Sequence, residues 1–253
     1  MSSEPSISDA ARQEAEAHIR EHALGEAARI ARLSRVREFV LGAQDGLLVP
    51  LGVVTGMAAA SPSQTLVVVA GLAEAVAGAV AMGSGSYLAS EAEEHLYAAE
   101  IRSEAQEIDD YPEREVAELA LILEHEGLPR IQAEHVASGL AANPTVFLRT
   151  KVQKELGLSP DVGGAALGDA LVVGGTYLAA AFVPLWPYLV FSLRSALIVS
   201  VVCTLAALFA LGVGKARVGR MSLVASGVQV MVVGSISAGL GFAVGHVVST
   251  IAG

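Results

Sequence analysis

The sequence predicts an all-α polytopic membrane protein with five transmembrane helices and a cytoplasmic three-helix insert between the second and third. Three observations carry that reading. Hydrophobic residues make up 53% of the 253 and charged residues only 17%, with a mean hydropathy of +0.55. Five apolar stretches are long enough, at about 1.5 Å per residue, to cross a hydrocarbon core of roughly 30 Å. The charge is also unevenly placed, since 15 of the 26 acidic residues fall between Glu91 and Glu155. The net charge of −10 thus belongs to one polar segment and excludes nucleic acid as a partner. Cys203 is the only cysteine, so an intrachain disulfide and a cysteine-based metal site are both excluded. The expected organisation is an N-terminal amphipathic helix (1–36), helices one and two (37–90), an acidic helical domain (91–160) and helices three to five (161–253).

Residues 9–33 carry a partial apolar stripe of Ala11, Ala15, Ile19, Leu24, Ile30 and Leu33. No apolar core of a signal peptide precedes it. His18 and His22 sit four apart with Glu14 and Glu26 on the same row, a spacing that suits a solvated face better than a metal site. Arg32, Arg35 and Arg37 then lead into the first span, Phe39 to Ala60. Its single charge is Asp45. An ionised Asp at membrane depth costs at least about 2.5–3.5 kcal/mol, so its presence calls for a reason. Gly46 leaves room beside the carboxylate, and Pro50 removes one backbone hydrogen bond and frees the carbonyl near position 46. Together they describe a helix opened near its acidic residue, as in an ion pathway. The alternative is an ion pair across spans, but no other span carries a deeply placed Lys or Arg.

The second span, Thr65–Ser90, has Glu74 as its only charge and carries Gly71, Gly78, Gly83 and Gly85, which let helices approach closely. From Glu91 to about Pro160 the chain reads as polar and helical. Helices are expected near 90–109 and 113–126, with a third between Pro129 and Leu156; breaks fall at Tyr111-Pro112, Gly127-Leu128-Pro129 and Asn143-Pro144. Three spans follow, near Gly163–Pro184, Tyr188–Gly214 and Ser222–Ile251. Trp186 and Tyr188 are expected in an interfacial turn, and Lys215–Arg220 forms a basic loop. Five spans put the N-terminus, the acidic insert and that loop on one side. Those segments hold nearly all the basic residues, so the positive-inside rule makes them cytoplasmic. Arg194 is expected to snorkel to the outer interface, with Asp169 as its partner or as a further pathway residue.

Glu100, Glu104 and Glu107 are spaced four and three along the first insert helix, and Glu115 and Glu118 three apart along the second, so each set lines one face. A short link at Asp109–Pro112 folds the two helices into a hairpin that can bring the faces together. Clustered oxygens of this kind suit hard divalent cations such as Mg²⁺, Mn²⁺ or Fe²⁺; charge counting leaves a solubilising acidic face equally open. In the membrane, Asp45 lies roughly 9 Å in from Phe39 and Met82 roughly 12 Å in from Ser90 at the helical rise. The two helices are antiparallel, so Asp45 and Met82 are expected at one level, with Glu74 two turns deeper. A carboxylate, a thioether and a second carboxylate make a path for a borderline metal ion, with proton exchange at the acids. Small-residue faces at Gly42/Gly46 and Gly52/Gly56 suit close packing against a second copy, and a homodimer is expected.

Ala43-Gln44-Asp45-Gly46-Leu47-Leu48-Val49-Pro50 with Thr55-Gly56 resembles the first helix of the vacuolar iron transporter family. Similar too are Glu74, Met82 and Gly83 to Leu88, the Glu-rich insert, Glu155-Leu156-Gly157-Leu158, Pro184-Leu185-Trp186-Pro187 and Gly214 to Gly227. The resemblance covers about residues 35–250 in order. It implies a dimeric, proton-coupled exporter of Fe²⁺, and sometimes Mn²⁺, with no cofactor; Zn²⁺ and Co²⁺ are further candidate cargoes. It implies Asp45, Glu74 and Met82 as pathway residues and Glu104, Glu107, Glu115, Glu118 and Glu155 as ligands of a cytoplasmic metal-binding domain; Glu100, from its helix-face spacing, and Asp169, from its place in a span, are secondary candidates. The expected location is a bacterial inner membrane. Two departures stand out. A methionine pair common in the family is Lys151 and Val152 here, and a Glu common in the second helix is Ser86. Losing sulfur and gaining a lysine should weaken the preference for Fe²⁺ in the insert.

An enzyme is not expected. No Glu-x-x-His pair supports di-iron oxidation, and His246, the only histidine within a span, has no catalytic partner for an intramembrane protease. The competing reading is a membrane-anchored metal-binding or sensing protein without transport, for which buried acids such as Asp45 and Glu74 would serve no purpose.

Overall fold

In the computed structural model, residues 8–157, 166–219 and 221–252 are described, and among them all regular structure is helical. The order is α1 (Asp9–Ala60), α2 (Gln64–Asp110), α3 (Pro112–His125), α4 (Arg130–Ala141), α5 (Pro144–Glu155), α6 (Ala166–Leu185), α7 (Pro187–Val190), α8 (Leu193–Gly219) and α9 (Leu223–Ala252). Five of these helices are long and apolar enough to cross a membrane. The chain divides into two compact units, residues 1–85 with 168–253, and residues 86–167.

In the first unit α1 is the central helix, packed along α9 and α8. It continues unbroken through Pro50, so the expected opening is confined to one missing hydrogen bond, that from Pro50 to the Gly46 carbonyl. The expected N-terminal helix and first span are likewise one element; the side chains of Ile19, His22, Leu24, Glu26, Ile30 and Leu33 lie outside the described residues. Glycines set the spacing. A Cβ on Gly42 or Gly46 would come within 2.4 or 2.3 Å of the Val173 or Tyr177 carbonyl oxygen on α6, and one on Gly56 within 2.8 Å of the Gly241 carbonyl oxygen on α9. The faces expected to pack a second copy are therefore used within one chain. Ser237 on α9 donates to the Leu48 carbonyl (2.9 Å) and Thr55 to the Ala238 carbonyl (3.3 Å), which ties α1 to its neighbour around the proline.

The turn after α6 forms at Trp186, and Tyr188 within it is buried among Val54, Val67, Ala181 and Ala196. The Gln64 side-chain amide donates to the carbonyls of Tyr188 and Phe191, and Ser200 donates to that of Pro184 (2.7 Å), satisfying carbonyls left free at a helix end. Helix α8 runs through Lys215 and Arg217, so most of the expected basic loop is its last turns; Arg220 lies outside the described residues. The start expected for the third span, at Gly163, also lies outside them.

The second unit holds the end of α2 with α3, α4 and α5 around Leu119, Ala120, Leu123, Ala133, Ala137 and Phe147. Two helices replace the single third helix expected between Pro129 and Leu156. Asn143 is extended and accepts a hydrogen bond from Val146 N (3.3 Å), with Pro144 at the first helical position. An amide cap and a proline that disfavours helix in the preceding residue restart the chain there. The first expected insert helix is not separate, being the end of α2.

Candidate functional site

Glu74 on α2 is hydrogen-bonded to Tyr177 on α6. Glu74, Gly78 and Met82 are four apart, so they form one row on α2. Gly78 leaves the space that the Tyr177 ring fills, since a Cβ there would stand 2.3 Å from the phenolic oxygen. The Tyr177 hydroxyl donates to Glu74 Oε1 at 2.5 Å. Glu74 Oε2 is also buried but has no hydrogen-bond partner. Met82 packs against the cluster that contains Tyr177, Val54, Val67 and Ala75. On α1, Gly46 lies against the Tyr177 backbone, and Asp45 is its chain neighbour. Asp45, Glu74 and Met82 are each half-buried. Among the described residues no Lys, Arg or His forms an ion pair with Asp45 or Glu74.

Asp169 sits in the first turn of α6, where a carboxylate favours the positive end of the helix dipole. Arg194 follows the far end of that helix, so about 24 Å of helical rise separates Asp169 from Leu185 alone. Asp169 is thus not the partner of Arg194.

In the second unit the carboxylates surround a lysine. Lys151 on α5 is fully buried. Its Nζ lies 2.8 Å from Glu115, 2.5 Å from Glu155, 3.3 Å from Glu104 and 3.3 Å from Glu118. Carboxylate oxygens of Glu104, Glu115 and Glu155 come within 4.8 Å of one another. Arg114 bridges Glu115 (2.8 Å) and Glu107 (2.8 Å), so Glu107 joins the set through a guanidinium rather than directly. Glu100 is exposed and outside it. Burial pushes the Glu104 carboxyl above its usual range, the nearby Lys151 only partly offsetting this. Burial pushes Glu115 the same way, but hydrogen bonds from Lys151 and Arg114 outweigh it and hold its carboxyl below that range. Burial works against a charged Lys151, yet the paired carboxylates of Glu115 and Glu155 win and keep its ammonium protonated well above the ordinary range.

Residues 36–246 match the family model described as the VIT family. The chain belongs to the VIT family. Over 214 residues it is 36% identical to vacuolar iron transporter 1 of Arabidopsis thaliana, covering 84% of this chain and 86% of the relative. It is 35% identical over 208 residues to the vacuolar iron transporter of Centaurea cyanus, with 82% and 85% covered. It is 29% identical over 217 residues to protein CCC1 of Saccharomyces cerevisiae, with 81% and 66% covered. These plant relatives are named as transporters, and the VIT family is one of transporters rather than enzymes. The VIT match spans both acidic sets, while the first 35 residues lie outside it.

Two residues of this VIT-family chain escaped sequence reasoning. Tyr177 is the one phenol in α6, whose residues apart from Asp169 are apolar or small, and a buried hydroxyl there needs a partner; that need was the available signal. Lys151 was visible only as a departure from the family pattern. Its position at the centre of the carboxylates depends on how α5 folds against α2 and α3.

Proposed function

We propose that this VIT-family membrane protein carries Fe²⁺ out of the cytosol in exchange for protons, along a path formed by Asp45, Glu74 and Met82. The observation that carries the reading is Glu74, whose Oε1 is held by Tyr177 while the buried Oε2 has no partner. A carboxylate oxygen without a partner inside an apolar bundle is costly. A proton on Glu74 relieves that cost when the path is empty, and a divalent ion relieves it when the path is loaded. Asp45, which forms no ion pair with a basic residue among the described residues, lies in the same apolar bundle. Carboxylate oxygens and the Met82 thioether suit a borderline ion such as Fe²⁺, and the names of the relatives supply iron. Mn²⁺ is the next cargo, bound by the same oxygens with less use of the sulfur; Zn²⁺ and Co²⁺ rank behind it.

A homodimer fits this reading. The pathway residues are only half-buried in one chain, so a second copy would shield the path from lipid. The basic residues support a cytosolic N-terminus and insert. Export would then run toward a vacuole lumen or, in a bacterial inner membrane, toward the outside of the cell. Glu104, Glu107, Glu115, Glu118 and Glu155 form the cytosolic cation-binding set of this reading. Reconstitution in liposomes tests it: Fe²⁺ uptake should exceed that of Mn²⁺, Co²⁺ and Zn²⁺ and should quicken when the receiving side is acidic. Uptake of none of the four ions above protein-free liposomes would overturn it.

A further inference from the structure

Lys151 makes an unusual set of contacts. It reaches Glu155 one turn along its own helix, Glu115 and Glu118 on α3, and Glu104 on α2, all within 3.3 Å of one Nζ. Its side chain is fully buried, as is that of Glu115, and Glu104 is nearly so. Three separate helices thus converge on one positive charge. The oxygens of Glu104, Glu115 and Glu155 that lie close enough together to share a metal ion are on the same carboxylates that contact this ammonium. Metal–oxygen bonds to a small divalent ion are roughly 2.0–2.2 Å. An ion bound by these oxygens would draw on the carboxylates that the ammonium already neutralises and would face its charge, so the two compete.

We propose that Lys151 is a tethered cation that holds the centre of the carboxylate set, so that the insert is folded without metal and a divalent ion enters only by displacing the ammonium. This rests on reading those carboxylates as a cation-binding set. It changes what the set does in this chain. Arg114 supplies the second positive charge at the rim, between Glu115 and Glu107, so the carboxylates are bridged in the absence of any ion. Metal capture by the insert is therefore weak, and loading of the membrane path does not wait for it.

The test uses the full chain in detergent with Mn²⁺, carrying Asp45→Asn throughout so that the membrane path does not report. The parent should melt at the same temperature in chelator and in micromolar Mn²⁺. Lys151→Leu removes the charge without adding a metal ligand; it should melt lower in chelator, regain stability with Mn²⁺, and bind Mn²⁺ at least roughly tenfold more tightly. Lys151→Gln carries the same expectation. The parent titration decides even where neither variant folds: stabilisation by micromolar Mn²⁺ that Glu115→Gln abolishes would overturn the proposal, as would equal Mn²⁺ affinity in the parent and Lys151→Leu. Failure of the transport reading would appear in liposome uptake instead and would leave this result unchanged.

Discussion

Replacing Gly46 by Ala perturbs the membrane path without touching any of its donor atoms. A Cβ at Gly46 would stand 2.3 Å from the carbonyl oxygen of Tyr177 and 2.8 Å from its Cα. These are backbone atoms and cannot swing aside. Ordinary contact begins near 3.4 Å, so α1 and α6 must part by about 1 Å, and overpacking of this kind costs about 1–3 kcal/mol. The same displacement moves the Tyr177 hydroxyl relative to Glu74, stretching a 2.5 Å hydrogen bond past the roughly 3 Å at which O–H···O bonds are lost. The expected result is a melting temperature several degrees lower in detergent, together with slower Fe²⁺ uptake in liposomes. Gly175→Ala, on α6, is the control, because a Cβ there meets nothing within 4 Å; it should leave both readouts unchanged. Equal melting temperatures and uptake rates for the two variants would refute the α1–α6 packing as the frame of the path.

Three further outcomes follow from the same geometry. Tyr177→Phe keeps the ring against Gly78 but leaves both Glu74 oxygens without a partner; at about 1.5–3 kcal/mol for a hydrogen bond to a charged group, Fe²⁺ uptake should fall roughly tenfold or more, and unchanged uptake would remove Tyr177 from the path. Met82→Leu keeps the packing volume and loses the sulfur, so Fe²⁺ uptake should slow more than Mn²⁺ uptake; equal slowing would mean the thioether is not a ligand. In the insert, Glu115 is held below its ordinary range, so its contribution is present above that range and lost as pH falls. Glu104 is held above it, so its contribution runs the other way and fades as pH rises. Glu115→Gln should accordingly cost about 3–5 kcal/mol at neutral pH, the scale of a broken buried ion pair, and Glu104→Gln much less. Thermal melting of the two full-length variants compares them, and equal losses would contradict the ordering.

The spans were legible because a bilayer demands long apolar runs, and Asp45 and Glu74 were legible because carboxylates are so costly inside them. Contacts between distant segments were not. Gly42, Gly46 and Gly56 read as small-residue faces for a second copy, but nothing in their spacing says which helix they approach; here it is α6 and α9 of the same chain. Tyr177 became the partner of Glu74 only when α6 was set beside α2. Glu104 and Lys151 are 47 residues apart, and local charge spacing described the acidic faces without revealing the ammonium between them. The break at Asn143-Pro144 was readable from turn chemistry, whereas the continuity of α1 across the expected linker and Pro50 was not, since one missing hydrogen bond does not end a helix held by α9.

The most direct measurement is Fe²⁺ uptake into liposomes containing the wild-type chain or Asp45→Asn, with and without a pH gradient acidic inside. Asn keeps the size of Asp but carries no charge and no exchangeable carboxyl proton. The account predicts uptake by the wild type that quickens with the gradient, and none by Asp45→Asn, although the variant melts like the wild type. Wild-type uptake that ignores the gradient, or Asp45→Asn transporting at the wild-type rate, would contradict it.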